Sequence, residues 1–173
     1  MGVALRRVCA IGSVVLVLGF VGAMNHVWAD AAGMEMKLTA SLSGSEEVPA
    51  KQTNGTGQFQ GNVPASHKSI LYRLTFSGLT SRSTAAHIHL GKRGANGGII
   101  AFLCGGGGKP SCPASGGTVK GTITSANVLA SGDLKKGDLP AMIQAFTNGD
   151  TYVNVHSTKN PGGEIRGQIE AGK

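Results

Sequence analysis

The sequence predicts an all-β fold, an antiparallel sandwich or Greek-key barrel carrying one short helix. Three observations point there. About eight short stretches alternate apolar and polar residues with the period of two that half-buries a strand. Turns rich in glycine and proline separate them. Only one stretch shows helical spacing. Nothing resembles a βαβ unit, a dinucleotide-binding glycine fingerprint or a phosphate-binding loop, and there is no internal repeat.

The elements follow in order. Residues 35–42 (EMKLTASL) place Met36, Leu38, Ala40 and Leu42 on one face. The turn SGSEEVPA ends any ladder at Pro49. Residues 57–63 form a second strand, with Phe59, Gly61 and Val63 on one face, closed by Pro64. Residues 69–76 (SILYRLTF) form a third, with Ile70, Tyr72, Leu74 and Phe76 opposite Leu71, Arg73 and Thr75. A strand with His87 and His89 follows, then the basic turn GKRGANGG and an apolar strand at 99–104. Residues 118–124 (TVKGTIT) read as another strand. The helical stretch lies within 133–147. Asp138 suits a cap, Pro140 the first turn, and Met142, Ile143 and Phe146 give 3–4 spacing before Asn148-Gly149. Residues 151–157 (TYVNVHS) and 164–169 (EIRGQI) close the set around the turn Asn160-Pro161-Gly162-Gly163.

The first 29 residues read as a secretory signal peptide: Arg6 and Arg7, an apolar run over 8–23, then Val27-Trp28-Ala29 before Asp30. An uncleaved N-terminal anchor is the alternative. Cleavage would leave residues 30–173 as one domain, with its core at about 36–170. It would also lower the formal charge from +7 by the loss of Arg6 and Arg7, and remove the one Trp. No other apolar run approaches the ~18–20 residues of a membrane span. The remaining basic residues are scattered and lack interleaved aromatics, which argues against nucleic-acid binding. The expected location is periplasmic or extracellular.

Cysteine usage agrees with export. Cys9 falls in the leader, and the even pair Cys104 and Cys112 reads as a disulfide stapling the loop GGGGKPS. Metal ligation by this pair is the weaker reading, because no second Cys-x-x-Cys exists and residues 105–108 look like a flexible spacer.

The chemistry-bearing residues are histidines. Successive strand side chains alternate faces, so His87 and His89 share one face, with Cα atoms roughly 6.6 Å apart at ~3.3 Å per residue. Ile88 and Leu90 face the other way. On the later strand Val153 and Val155 share one face, and Tyr152, Asn154 and His156 the other. If the two strands are neighbours, His87, His89 and His156 converge. Three imidazoles suit Cu(II), or Zn(II) with an open fourth position. Asn154, Glu164 and Arg166 are then the residues expected to orient the ligands. The competing reading is a solvated face, on which the histidines bond one another, Asn154 or Glu164, and Glu164 pairs with Arg166 in an exposed salt bridge. His67 sits in a polar turn and reads as solvated. Met142 is a conceivable soft ligand, but its spacing with Ile143 and Phe146 reads as core. No Ser/His/Asp order recommends nucleophilic catalysis, and Glu46 and Glu47 lie in a turn without an identifiable partner.

AAHIHLGKRGANGGII and TYVNVHSTKNPGGEIRGQI, with SLSGSEEVPA and Gly55-Thr56-Gly57 before them, resemble the CHRD (chordin) domain found in secreted bacterial proteins. The likeness covers roughly residues 36–170. It implies an immunoglobulin-like β-barrel distantly similar to copper/zinc superoxide dismutases. It supplies no established activity. In that comparison His87, His89 and His156 match the order of copper ligands. The histidines and aspartate that would hold zinc are missing, since His67 is the only one left over and lies on the wrong side of His-x-His. Full dismutase activity is not expected, while the comparison stays compatible with a mononuclear copper site. The resemblance also leaves open a non-catalytic extracellular module, in which the histidine face or the GKRGANGG turn contacts a protein or glycan partner.

Overall fold

In the computed structural model, residues 1–2 and 35–172 are described. The expected signal peptide, apart from its first two residues, lies outside them, with Cys9, His26 and Trp28. Among the described residues, nine strands run in chain order: β1 (Met36–Ser43), β2 (Thr56–Val63), β3 (Ile70–Ser77), β4 (Ser83–Leu90), β5 (Gly98–Cys104), β6 (Gly117–Ile123), β7 (Thr151–Ser157), β8 (Ile165–Gln168) and β9 (Glu170–Gly172). The α-helix α1 (Leu139–Thr147) lies between β6 and β7. The strand order is β5-β4-β7-β8-β1-β2-β3-β6, with β9 added beside β1, and every pairing is antiparallel. The terminal strands β5 and β6 approach each other, so the sheet is a nearly closed barrel. The all-β expectation holds, and closure takes its barrel form.

The pattern that defines the strands also fills the barrel. On β3, Ile70, Tyr72, Leu74 and Phe76 point inward while Leu71, Arg73 and Thr75 stay outside. Leu38, Leu42, Phe59, Val63, Ile88, Ile100, Leu103, Val153 and Val155 join them in one core cluster. Burying each such side chain contributes roughly 1.5–3 kcal/mol. Asp138 caps α1 by accepting from the Ala141 backbone N–H at 3.0 Å, and Met142, Ile143 and Phe146 face the core. Residues 133–138, included in the helical stretch by sequence, form turns around an isolated bridge of Leu134 to Ser131 instead. Helix formation waits for the cap at Asp138 and the fixed φ of Pro140. Met142 is wholly buried in this cluster, as a core residue.

Two segments depart from expectation. β9 was not legible, because Glu170–Gly172 is exposed and carries no alternation; it forms by pairing Lys37, Leu38 and Thr39 of β1. The glycine loop after β5 is not a free spacer. Cys104 and Cys112 form a disulfide, and the loop backbone lies directly on the Phe102 ring. Gly107 has φ +56°, and a Cβ there would fall 2.5 Å from a Phe102 ring carbon. Glycine is required by both its conformation and that contact.

Candidate metal centre

β4 and β7 are hydrogen-bonded neighbours, in a register that sets Ala85 opposite His156, His87 opposite Asn154 and His89 opposite Tyr152. The three histidines therefore share one side of a two-strand patch. That side is not solvated. His87, His89 and His156 are 6%, 7% and 8% exposed, and Tyr152, Asn154, Arg166 and Gln168 beside them are buried too. The cover comes from loops that sequence periodicity does not place. Residues 91–97 fold over His89, whose Nδ1–H donates to the Gly97 carbonyl at 2.9 Å. The 158–163 turn covers His156, whose Nδ1–H donates to the Pro161 carbonyl at 2.9 Å. Asn96 ties the first loop to residues 44–51 by donating to the Val48 carbonyl, and Arg93 adds an ion pair with Glu46.

These bonds decide the tautomers. A carbonyl only accepts, so the proton of neutral His89 and of neutral His156 sits on Nδ1. Nε2 then carries the lone pair in both. His156 Nε2 accepts from His87 Nδ1 at 2.9 Å, and Asn154 Oδ1 lies 2.9 Å from the same nitrogen. His87 Nε2 and His89 Nε2 are buried and have no hydrogen-bond partner among the described residues. One ligand atom from each ring lies within 4.8 Å of the other two. Burial lowers all three pKa values. That of His87 falls to about 3, from burial first and then from the nearness of His156 and His89. Burial lowers His89 against its bond to Gly97, and His156 against its bond to Pro161. Neutral imidazoles are what a metal requires; the Nε2 lone pairs of His87 and His89 are free for one, and His156 Nε2 can join them by giving up its bond to His87.

The rings are held from the side. His87 packs edge-on against Phe102, with centroids 4.6 Å apart. His89 stacks on Tyr152 at 4.7 Å, nearly parallel. The Arg166 guanidinium lies 3.5 Å from the Tyr152 ring centre and donates to the Lys92 and Ala95 carbonyls and to Asn96 Oδ1. Arg166 thus acts on His89 through Tyr152 and orders the Lys92-Arg93 turn from beneath.

Of the residues expected to orient the ligands, Asn154 touches His156, and Arg166 reaches His89 through Tyr152. Glu164 stands apart. It accepts hydrogen bonds from Thr53 Oγ1, the Thr80 backbone N–H and hydroxyl, Ser157 and Asn160, and makes none with the three histidines. The exposed Glu164–Arg166 salt bridge does not form, since both side chains are buried and bonded elsewhere. His67 is exposed, as its polar turn suggests.

Sequence reasoning missed Glu47. Its side chain is buried, and Oε1 has no hydrogen-bond partner among the described residues. Burial pushes its carboxyl up to about 7, against the charges of Arg166 and Lys51 and the Val48 N–H. The only signal was its place in SGSEEVPA, one of the segments carrying the family resemblance.

The fold and the site define an all-β barrel with three buried, converging imidazoles able to hold a metal ion. The chain belongs to the CHRD domain family, whose model matches residues 38–169. The comparison with curated proteins gave no match. Among the described residues, no helix is long and apolar enough to cross a membrane.

Proposed function

We propose that this protein binds one transition-metal ion, copper before zinc, through His87, His89 and His156, and that it acts outside the cytoplasm to store, carry or buffer that ion. The observation that carries this reading is the convergence of three buried imidazoles, two of them with an unpartnered lone-pair nitrogen. A buried polar atom without a partner costs about 1–3 kcal/mol. Two such atoms on one ligand cluster are explained together by an ion that both would bind. Three nitrogen donors suit Cu(II), and Zn(II) with one position open. The basic and apolar leader and the disulfide support a location outside the reducing cytoplasm.

The test is metal titration of the purified, metal-free protein with Cu(II), followed by electron paramagnetic resonance. About one ion per chain with a nitrogen-rich signal is expected, and both should disappear in H87A/H89A. Equal binding by that double variant would overturn the reading.

A further inference from the structure

We infer that Glu47 is a charge-compensating, specificity-determining residue of the three-histidine site, favouring a divalent over a monovalent cation; this rests on the metal-binding reading above. Three neutral imidazoles bring no negative charge, and the buried Arg166, packed on the Tyr152 ring that stacks on His89, is positive. A doubly charged ion in such surroundings loses water without gaining an anion, which is costly. The described residues contain two buried carboxylates, Glu47 and Glu164. Glu164 already accepts from Thr53, Thr80, Ser157 and Asn160. Glu47 Oε1 is buried without a partner.

Glu47 also stands on the correct side of the barrel. A Cβ on Gly163 would fall 2.5 Å from Glu47 Oε1 and 2.9 Å from Asn154 Nδ2, so the two side chains share one small space. Asn154 Oδ1 is in turn 2.9 Å from His156 Nε2. A single amide therefore separates the free carboxylate oxygen from a ligand nitrogen. Gly163, at φ +125°, is the residue whose missing side chain leaves room for both groups. Glu47 acts through space and through Asn154, as a positioning and charge-balancing residue.

The experiment compares Cu(II), Zn(II) and Cu(I) affinities by chelator competition at pH 8, in the wild type, E47Q, E47D and H87A/H89A. E47Q is expected to weaken both divalent ions by about tenfold or more while changing Cu(I) by less than about threefold. E47D keeps the charge and is expected to keep the wild-type preference. Equal losses for all ions in E47Q, no loss at all, or an E47D preference as low as that of E47Q would overturn the inference. Metal-free E47Q should unfold at no lower denaturant concentration than the wild type, because it removes an unpartnered buried carboxylate. A lower midpoint would assign Glu47 a purely structural role. Absence of metal uptake by the wild type, or full uptake by H87A/H89A, would instead overturn the metal-binding reading, independently of any Glu47 variant.

Discussion

His87 Nδ1 and His156 Nε2 lie 2.9 Å apart although 69 residues separate them along the chain. One proton, on His87 Nδ1, occupies that contact, so a charged His87 would carry its second proton on Nε2, which is buried without a partner. Burial therefore favours neutral rings in the folded state, whereas the unfolded chain takes up protons below the ordinary histidine value of 6.5. The native His87 holds out to about 3. Between those limits the unfolded state binds more protons, so stability of the metal-free protein rises with pH and is lost as pH falls from 6.5 toward 3. At ~1.4 kcal/mol per pH unit, His87 alone sets an upper limit of about 5 kcal/mol. Glu47, raised from 4.5 to about 7, works in the opposite direction over its own window. Denaturant unfolding at several pH values checks this. H87Q should show a shallower dependence than the wild type, and an unchanged slope would contradict it.

Arg166 ties two parts of the site together. It is 2% exposed, bonds two carbonyls and an amide of the 91–97 loop, and supports Tyr152 beneath His89. Hydrogen bonds to a charged group contribute about 1.5–3 kcal/mol each, and their loss leaves buried acceptors unpaired. R166A should cost about 3 kcal/mol or more of stability. R166K should rescue little, since an ammonium cannot reproduce the planar fork over the ring. Denaturant unfolding gives the cost, and the near-ultraviolet circular dichroism of Tyr152 reports whether the ring loses its fixed packing.

How much of this was legible in the sequence follows from what alternation encodes. It states which face of a strand is apolar, so the inward set of β3 and the shared face of His87, His89 and His156 could be read directly. It does not encode which strands are neighbours. The pairing of β4 with β7 comes from the barrel's topology, and the convergence of the histidines depended on it. Nor does it show that a polar face is roofed. The loops over His89 and His156 are held by hydrogen bonds from Asn96, Arg166 and the ring nitrogens themselves, and no periodicity marks those residues. Glu47 escaped notice for the same reason: a turn residue looks solvated until the loop above it is placed.

The disulfide should contribute through both the loop and the site. Its bridge spans 8 positions in sequence, for which chain entropy gives about 2.5 kcal/mol. The loop it closes covers Phe102, and Phe102 abuts His87. C104S/C112S should lose about 2–3 kcal/mol in denaturant unfolding under oxidising conditions. Adding reductant should move the wild type toward the double variant and leave the variant unchanged. A wild type indifferent to reductant, with the bridge shown by mass to be open, would refute this.

Glu164 offers a separate, metal-independent test. Burial alone would raise its carboxyl, yet hydrogen bonds from Ser157, the Thr80 backbone, Thr53 and Asn160 outweigh it and hold the pKa at about 2. Those donors come from the segment after β1, the β3–β4 connection, and the end of β7 with the turn that follows it, so one carboxylate clasps three connections. Its stabilising effect is fully present above the unfolded value of 4.5 and is lost as pH falls through 4.5 toward 2. E164Q keeps the size and removes the charge. It should cost about 2–3 kcal/mol near pH 7, because charge-assisted bonds become neutral ones and an amide nitrogen meets donors. The difference from the wild type should shrink as pH drops below 4.5 and the wild-type carboxyl takes up its proton. Metal affinity at pH 7 should change by less than about threefold, since Glu164 bonds none of the three histidines. A large loss of metal binding with stability intact would place Glu164 in the site after all, and a pH-independent stability difference would show that its charge is not what holds the loops.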